Sequence, residues 1–130
     1  MRFENHYNLS QARALLPKVR KWLKRLVELR DEIEKYDQRL SELMAPGRDV
    51  GGPVVNTWAK SLVEVKTVLQ EFQKRDIQIK DLERGLIDFP AIIDDKEVFL
   101  CWELEEDDIG FWHDLDSGYA GREPLSGEDL

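Results

Sequence analysis

The chain has 130 residues and a mass of 15.2 kDa, with 19 Lys+Arg against 27 Asp+Glu and a formal charge of −8. That length supports one domain with one modest core. A composition 42% hydrophobic, with four Trp, excludes a wholly disordered chain. One cysteine, Cys101, excludes an intrachain disulfide and a cysteine-based zinc cage. No apolar run approaches a membrane span, and Met1-Arg2-Phe3-Glu4-Asn5-His6 lacks the apolar stretch of a secretory signal. A cytoplasmic protein is expected. Charge is unevenly placed: residues 1–80 carry 16 basic and 11 acidic side chains, net +5, and residues 81–130 carry 3 and 16, net −13.

Asn8 followed by Gln11 reads as an N-cap with its capping-box partner, opening a helix at Leu9. Apolar residues then fall at 9, 12, 16, 19, 23 and 26, and resume as Leu29, Ile33, Tyr36, Leu40 and Leu43. Two successive steps of three at Leu23, Leu26 and Leu29 mark a change of seam. Pro17 lies inside the first stretch and is expected to kink it or to cost stability there. A loop is expected over 45–52, around Ala45-Pro46-Gly47 and Gly51-Gly52, with Pro53 opening a second helix. That helix carries Val55, Trp58, Leu62, Val65, Leu69 and Phe72. One antiparallel register pairs all six with Leu43, Leu40, Tyr36, Ile33, Leu29 and Leu26, so residues 8–75 read as a coiled-coil-like helical hairpin. A first helix over 9–44 is about 54 Å long and a second over 53–75 about 35 Å. The seam from Leu9 to Leu23 therefore needs another partner, either the C-terminal region or a second subunit.

Residues 76–116 read as a small antiparallel sheet of three to four strands. Leu86–Ile93 and Lys96–Leu104 flank Asp94-Asp95 as a two-residue hairpin. In that register Ile87, Phe89 and Ala91 share a face with Trp102, Leu100 and Val98, while Asp88 and Cys101 point the other way. Pro90 demotes its strand to an edge or a non-bonded position. Ile109–Asp114 is expected as a third strand, 77–79 as a fourth, and 117–130 as a loop-like tail. The fold class is α+β, in a single domain over 1–130.

Several segments carry a resemblance. Lys80-Asp81-Leu82-Glu83-Arg84-Gly85-Leu86-Ile87-Asp88-Phe89-Pro90, Val98-Phe99-Leu100-Cys101-Trp102, Trp112-His113 and Gly118-Tyr119-Ala120-Gly121-Arg122 resemble an uncharacterised bacterial family, domain of unknown function 2203. Ala14-Leu15-Leu16-Pro17 fits the same pattern. The family turn is often Asp-Gly where this chain has Asp94-Asp95, which strains a type I′ turn. The resemblance implies a small bacterial α+β protein and brings no activity and no catalytic residue.

His113 is the most informative side chain. With Asp114 beside it and Asp88 or Glu103 across the sheet, it offers a ligand set for a divalent metal such as zinc, iron or manganese. A four-residue turn at 105–108 sets His113 opposite Leu100 on the apolar face, and a one-residue bulge turns it to the Cys101 and Asp88 side. The plainer reading, a partly buried histidine bonded to a carboxylate or carbonyl, is favoured because no H-x-x-x-H spacing is present. Cys101 reads as a small hydrophobe, since its acidic surroundings oppose a thiolate. Arg122 is a candidate clamp for an anion, although an ion pair with a neighbouring acid is the simpler expectation.

Lys18, Arg20, Lys21, Lys24, Arg25 and Arg30 make the first helix basic, but the whole-chain charge disfavours nucleic acid as partner. Attraction between this stretch and the acidic C-terminal region explains the split better. Two functions compete. The first is a non-catalytic interaction module that self-associates as a homodimer or other homo-oligomer. The second is a metal- or small-anion-binding protein, with catalysis left open, whose site surrounds His113.

Overall fold

The computed structural model describes residues 1–43 and 52–126. Its elements in chain order are α1 (Leu9–Leu43), α2 (Pro53–Gln73), β1 (Gln78–Asp81), β2 (Leu86–Ile93), β3 (Lys96–Glu103), β4 (Phe111–Asp114), a 3-10 turn (Tyr119–Gly121) and β5 (Glu123–Pro124). The class is α+β, two helices followed by one antiparallel sheet. Five strands, not three or four, form that sheet in the order β1-β2-β3-β4-β5. The chain divides into two compact units: Trp22–Glu71, and Met1–Lys21 together with the chain from Phe72 onward. The expected loop over 45–52 falls outside the described residues but for Gly52.

The Trp22–Glu71 unit is built from α1 and α2 running antiparallel. Arg25 holds Glu64 through two guanidinium nitrogens, and Trp58 Nε1 donates to Asp37 Oδ1 at 2.8 Å. As one index rises the other falls. Leu23, Leu26, Leu29, Ser61 and Val68 are buried, whereas Leu62 is 41% exposed and Val63 65%. The buried stripe of α2 thus lies one residue before the expected Leu62 and Leu69 positions. The apolar pair Val68-Leu69 admits either stripe by spacing, because one residue turns a helix by only about 100°. At 61–62, by contrast, the small polar Ser61 takes the buried place and leaves Leu62 outside.

In the other unit, Asn8 and Gln11 form a reciprocal cap. Gln11 N–H donates to Asn8 Oδ1 at 2.8 Å and Asn8 N–H to Gln11 Oε1 at 3.0 Å. α1 runs on through Pro17. The β2–β3 register is the expected one, Ile87↔Trp102, Phe89↔Leu100 and Ala91↔Val98. Asp94 and Asp95 both take positive φ, 51° and 61°, as a type I′ turn requires. Pro90 carbonyl accepts from Tyr7 N–H at 2.8 Å. A strand residue's N–H and C=O point to the same side, so the N–H that proline lacks faces away from β3.

One sheet face packs on the start of α1. Leu9, Ala12, Leu16 and Val19 are buried, as are Phe89, Leu100 and Trp102. Arg20 lies 4.9 Å over the Trp102 ring and donates to the Leu104 and Glu106 carbonyls at 3.2 and 3.1 Å. The chain's own sheet therefore covers this part of the seam. Arg13 adds an ion pair to Asp108 at 2.8 Å, so the basic start of α1 does meet the acidic region.

The second sheet face is buried as well. Asp88, Pro90, Phe99, Cys101 and His113 sit there at a few per cent exposure or less. Phe3 covers Phe99 from one side, with ring centroids 5.4 Å apart. The tail closes the other end: β5 pairs with β4 through Phe111↔Pro124 and Trp112↔Glu123. Within the expected loop-like tail, Glu123–Pro124 thus joins the sheet, after a turn and the 3-10 turn at Tyr119–Gly121.

Candidate functional site

β4 enters the sheet with Phe99↔His113 and Leu100↔Trp112 as cross-strand pairs. Seven residues, 104–110, connect β3 to β4 instead of four. The register is therefore shifted by one from the simple turn, and His113 lies on the Cys101 side. Asp88 is directly opposite Cys101 across β2 and β3. Asp88, Cys101 and His113 converge, with one ligand atom from each lying within 4.8 Å of the others. All three are buried, at 1%, 0% and 2% exposure.

The hydrogen bonds of the imidazole define its chemistry. His113 Nδ1–H donates to the Asp114 carbonyl at 2.7 Å, and Nε2 lies 3.0 Å from Asp88 Oδ2. Both neighbours are acceptors, so a neutral ring with one proton satisfies only one of them. Nε2 needs a second proton or a cation. Burial acts to strip the ring of its charge, but the bonds to Asp88, Cys101 and the Asp114 carbonyl outweigh it and raise the pKa to about 10. Asp88 Oδ1 is buried and has no hydrogen-bond partner among the described residues. A carboxylate oxygen in that position ordinarily has one.

The other expected ligands lie elsewhere. Glu103 pairs with Arg84 at 3.0 Å and accepts from Tyr119 Oη at 3.2 Å. The Asp114 carboxylate pairs with Lys96 at 2.7 Å, and only its backbone carbonyl reaches His113. Arg122 pairs with Glu106 at 3.1 Å and stacks on Phe111 at 3.8 Å and Tyr119 at 4.3 Å. Burial opposes its charge, but bonding to Glu106 and then to Cys101 holds its pKa up. Cys101, read from sequence as a packing residue, is the member of this cluster that sequence reasoning passed over. Its pairing with Asp88 in the hairpin register was the signal that could have found it.

These three groups can hold a metal. Thiolate, imidazole and carboxylate are a zinc-type donor set, with bonds of about 2.0–2.3 Å. Such bonds put neighbouring tetrahedral vertices about 3.3–3.6 Å apart, so side-chain shifts of about an ångström close the site. The Nδ1–H bond to a backbone carbonyl is the outer-shell contact that fixes a ligating histidine.

Neither curated proteins nor solved structures give a match to the chain. No described helix is long and apolar enough to cross a membrane. The profile of one family matches residues 5–125, and the chain belongs to that family, described as "Uncharacterized conserved protein (DUF2203)".

Proposed function

We propose that this protein is a non-catalytic metal-binding protein that holds a thiophilic divalent ion, Zn2+ above all, between Asp88, Cys101 and His113. The observation that carries this reading is Asp88. One of its oxygens faces His113 Nε2 at 3.0 Å and the other is buried without a partner among the described residues. Charge balance supports it. With a proton on His113 and on Cys101, the three groups sum to zero beside the Asp88 carboxylate. With a divalent ion bound to thiolate, carboxylate and neutral imidazole, the sum is again zero. A buried site tolerates either state because neither leaves a net charge out of water. Burial of all three groups argues for a structural or regulatory ion over one that touches substrate. A thiol ligand also suits a reducing compartment, and a cytoplasmic location belongs to this reading.

The test is metal analysis of protein purified without chelator or histidine tag, followed by Co2+ titration of the metal-free form. Stoichiometric zinc and a thiolate–cobalt charge-transfer absorption are expected. Cys101→Ser, Asp88→Asn and His113→Ala should each weaken binding by more than about 100-fold, beyond the usual outer-shell effect. No metal uptake by folded protein at micromolar zinc ends the proposal.

A second reading is self-association through the Trp22–Glu71 unit, favoured by the exposed neighbours Leu62 and Val63 on α2. Analytical ultracentrifugation of the wild type and of Leu62→Glu checks it. A wild-type monomer at micromolar concentration disposes of it.

A further inference from the structure

The segment before α1 lies across the site-bearing face and is held mainly by two carboxylates. Glu97 accepts from Arg2 N–H at 2.7 Å, Phe3 N–H at 3.0 Å and His6 Nε2–H at 2.7 Å. Asp76 accepts from Asn5 N–H at 3.0 Å and Asn5 Nδ2–H at 2.9 Å. Tyr7 ties the end of the segment to Pro90 and, through its hydroxyl, to the Arg75 carbonyl at 2.8 Å.

Between these ties the Phe3 ring rests on Phe99, and Phe99 rests on His113 with centroids 5.5 Å apart. Arg2, Glu4 and Asn5 are exposed, so few apolar contacts besides those of Phe3 hold residues 2–5 down. Residues 2–6, fixed by polar bonds and the Phe3 ring, open at low cost compared with the sheet beneath, while the Tyr7 ring, edge-on to Phe89 at 5.7 Å, anchors the far end.

We infer that residues 2–7 form a strap that gates metal exchange at Asp88, Cys101 and His113, with Glu97 as its latch and the Phe3 ring on Phe99 as its seal. This inference rests on the metal reading above. The ion reaches or leaves the buried ligands when the strap lifts, and the strap supplies no ligand itself. It therefore sets the rate of exchange and not the affinity.

The experiment follows Zn2+ loading and EDTA-driven release by stopped flow in full-length wild type, Glu97→Gln, Phe3→Ala and the exposed control Glu4→Ala. Loss of the latch or the seal should speed loading and release alike by about tenfold, with the Kd changed by less than about threefold. The control should match the wild type. If the wild type binds zinc and all variants exchange at its rate, the strap is wrong and the metal site stands. Faster release without faster loading also overturns the strap, because it reports a weakened site. If the wild type takes up no zinc, the metal reading fails and this one with it.

Discussion

His113 Nε2 lies 3.0 Å from Asp88 Oδ2 in a buried site, while the other ring nitrogen donates to the Asp114 carbonyl. In metal-free protein this makes Asp88–His113 an imidazolium–carboxylate pair. Breaking such a pair from one side leaves an uncompensated buried charge and costs about 3–5 kcal/mol. Asp88→Asn, measured by urea unfolding in chelator, should lose stability on that scale. Asp88→Val combined with His113→Leu should recover much of it, because the charges leave together. A double variant no better than the single one would contradict the pairing.

The same pair sets a pH dependence in chelator. The folded value of His113 is raised from 6.5 to about 10. Its stabilising contribution is therefore complete below pH 6.5 and is lost as pH rises through 10. Melting temperatures of wild type and His113→Gln should converge between those limits. A constant gap would show that the ring does not carry the proton.

Glu97 works in the opposite direction. Burial pushes its pKa up, but bonds from His6 and from the Phe3 and Arg2 amides overcome this and lower it from 4.5 to about 2. Its contribution is present above pH 4.5 and is lost as pH falls toward 2. The wild type should be more stable than Glu97→Gln at pH 6, with the difference shrinking through that acid window. Parallel stability curves would remove the latch.

The β2–β3 turn carries two aspartates in the left-handed region. Asp95→Gly should stabilise the protein by about 0.5–1 kcal/mol, because glycine avoids the Cβ clash at φ 61°. A shift of the urea midpoint to higher concentration with an unchanged slope is the expected result.

Gly85 turns the chain between β1 and β2 with φ +64°, and a Cβ built there meets Leu104 Cβ at 2.5 Å. Its carbonyl also accepts from Leu104 N–H at 3.1 Å. Gly85→Ala should cost about 2 kcal/mol or more through strain and overpacking together. A wild-type urea midpoint for this variant would show that the turn relaxes.

The sequence by itself determined the elements whose signals are local. The Asn8–Gln11 cap, both helices and the pairing of Ile87, Phe89 and Ala91 with Trp102, Leu100 and Val98 follow from periodicity and turn length. It also placed Asp88 beside Cys101, because a two-residue turn fixes hairpin register. Tertiary structure decided the rest. Whether His113 joins Asp88 and Cys101 depends on whether the 104–110 connection shifts the register by one, and a one-residue slip exchanges the two faces of a strand. Nothing local in Glu105-Glu106-Asp107-Asp108 sets that parity. Burial of the second face, which turns three polar groups into a candidate metal centre, draws on Phe3, which packs on Phe99 from nearly a hundred residues away in the chain. Contacts of that kind form only when the whole sheet is in place, because their gain must exceed the entropy of ordering both ends.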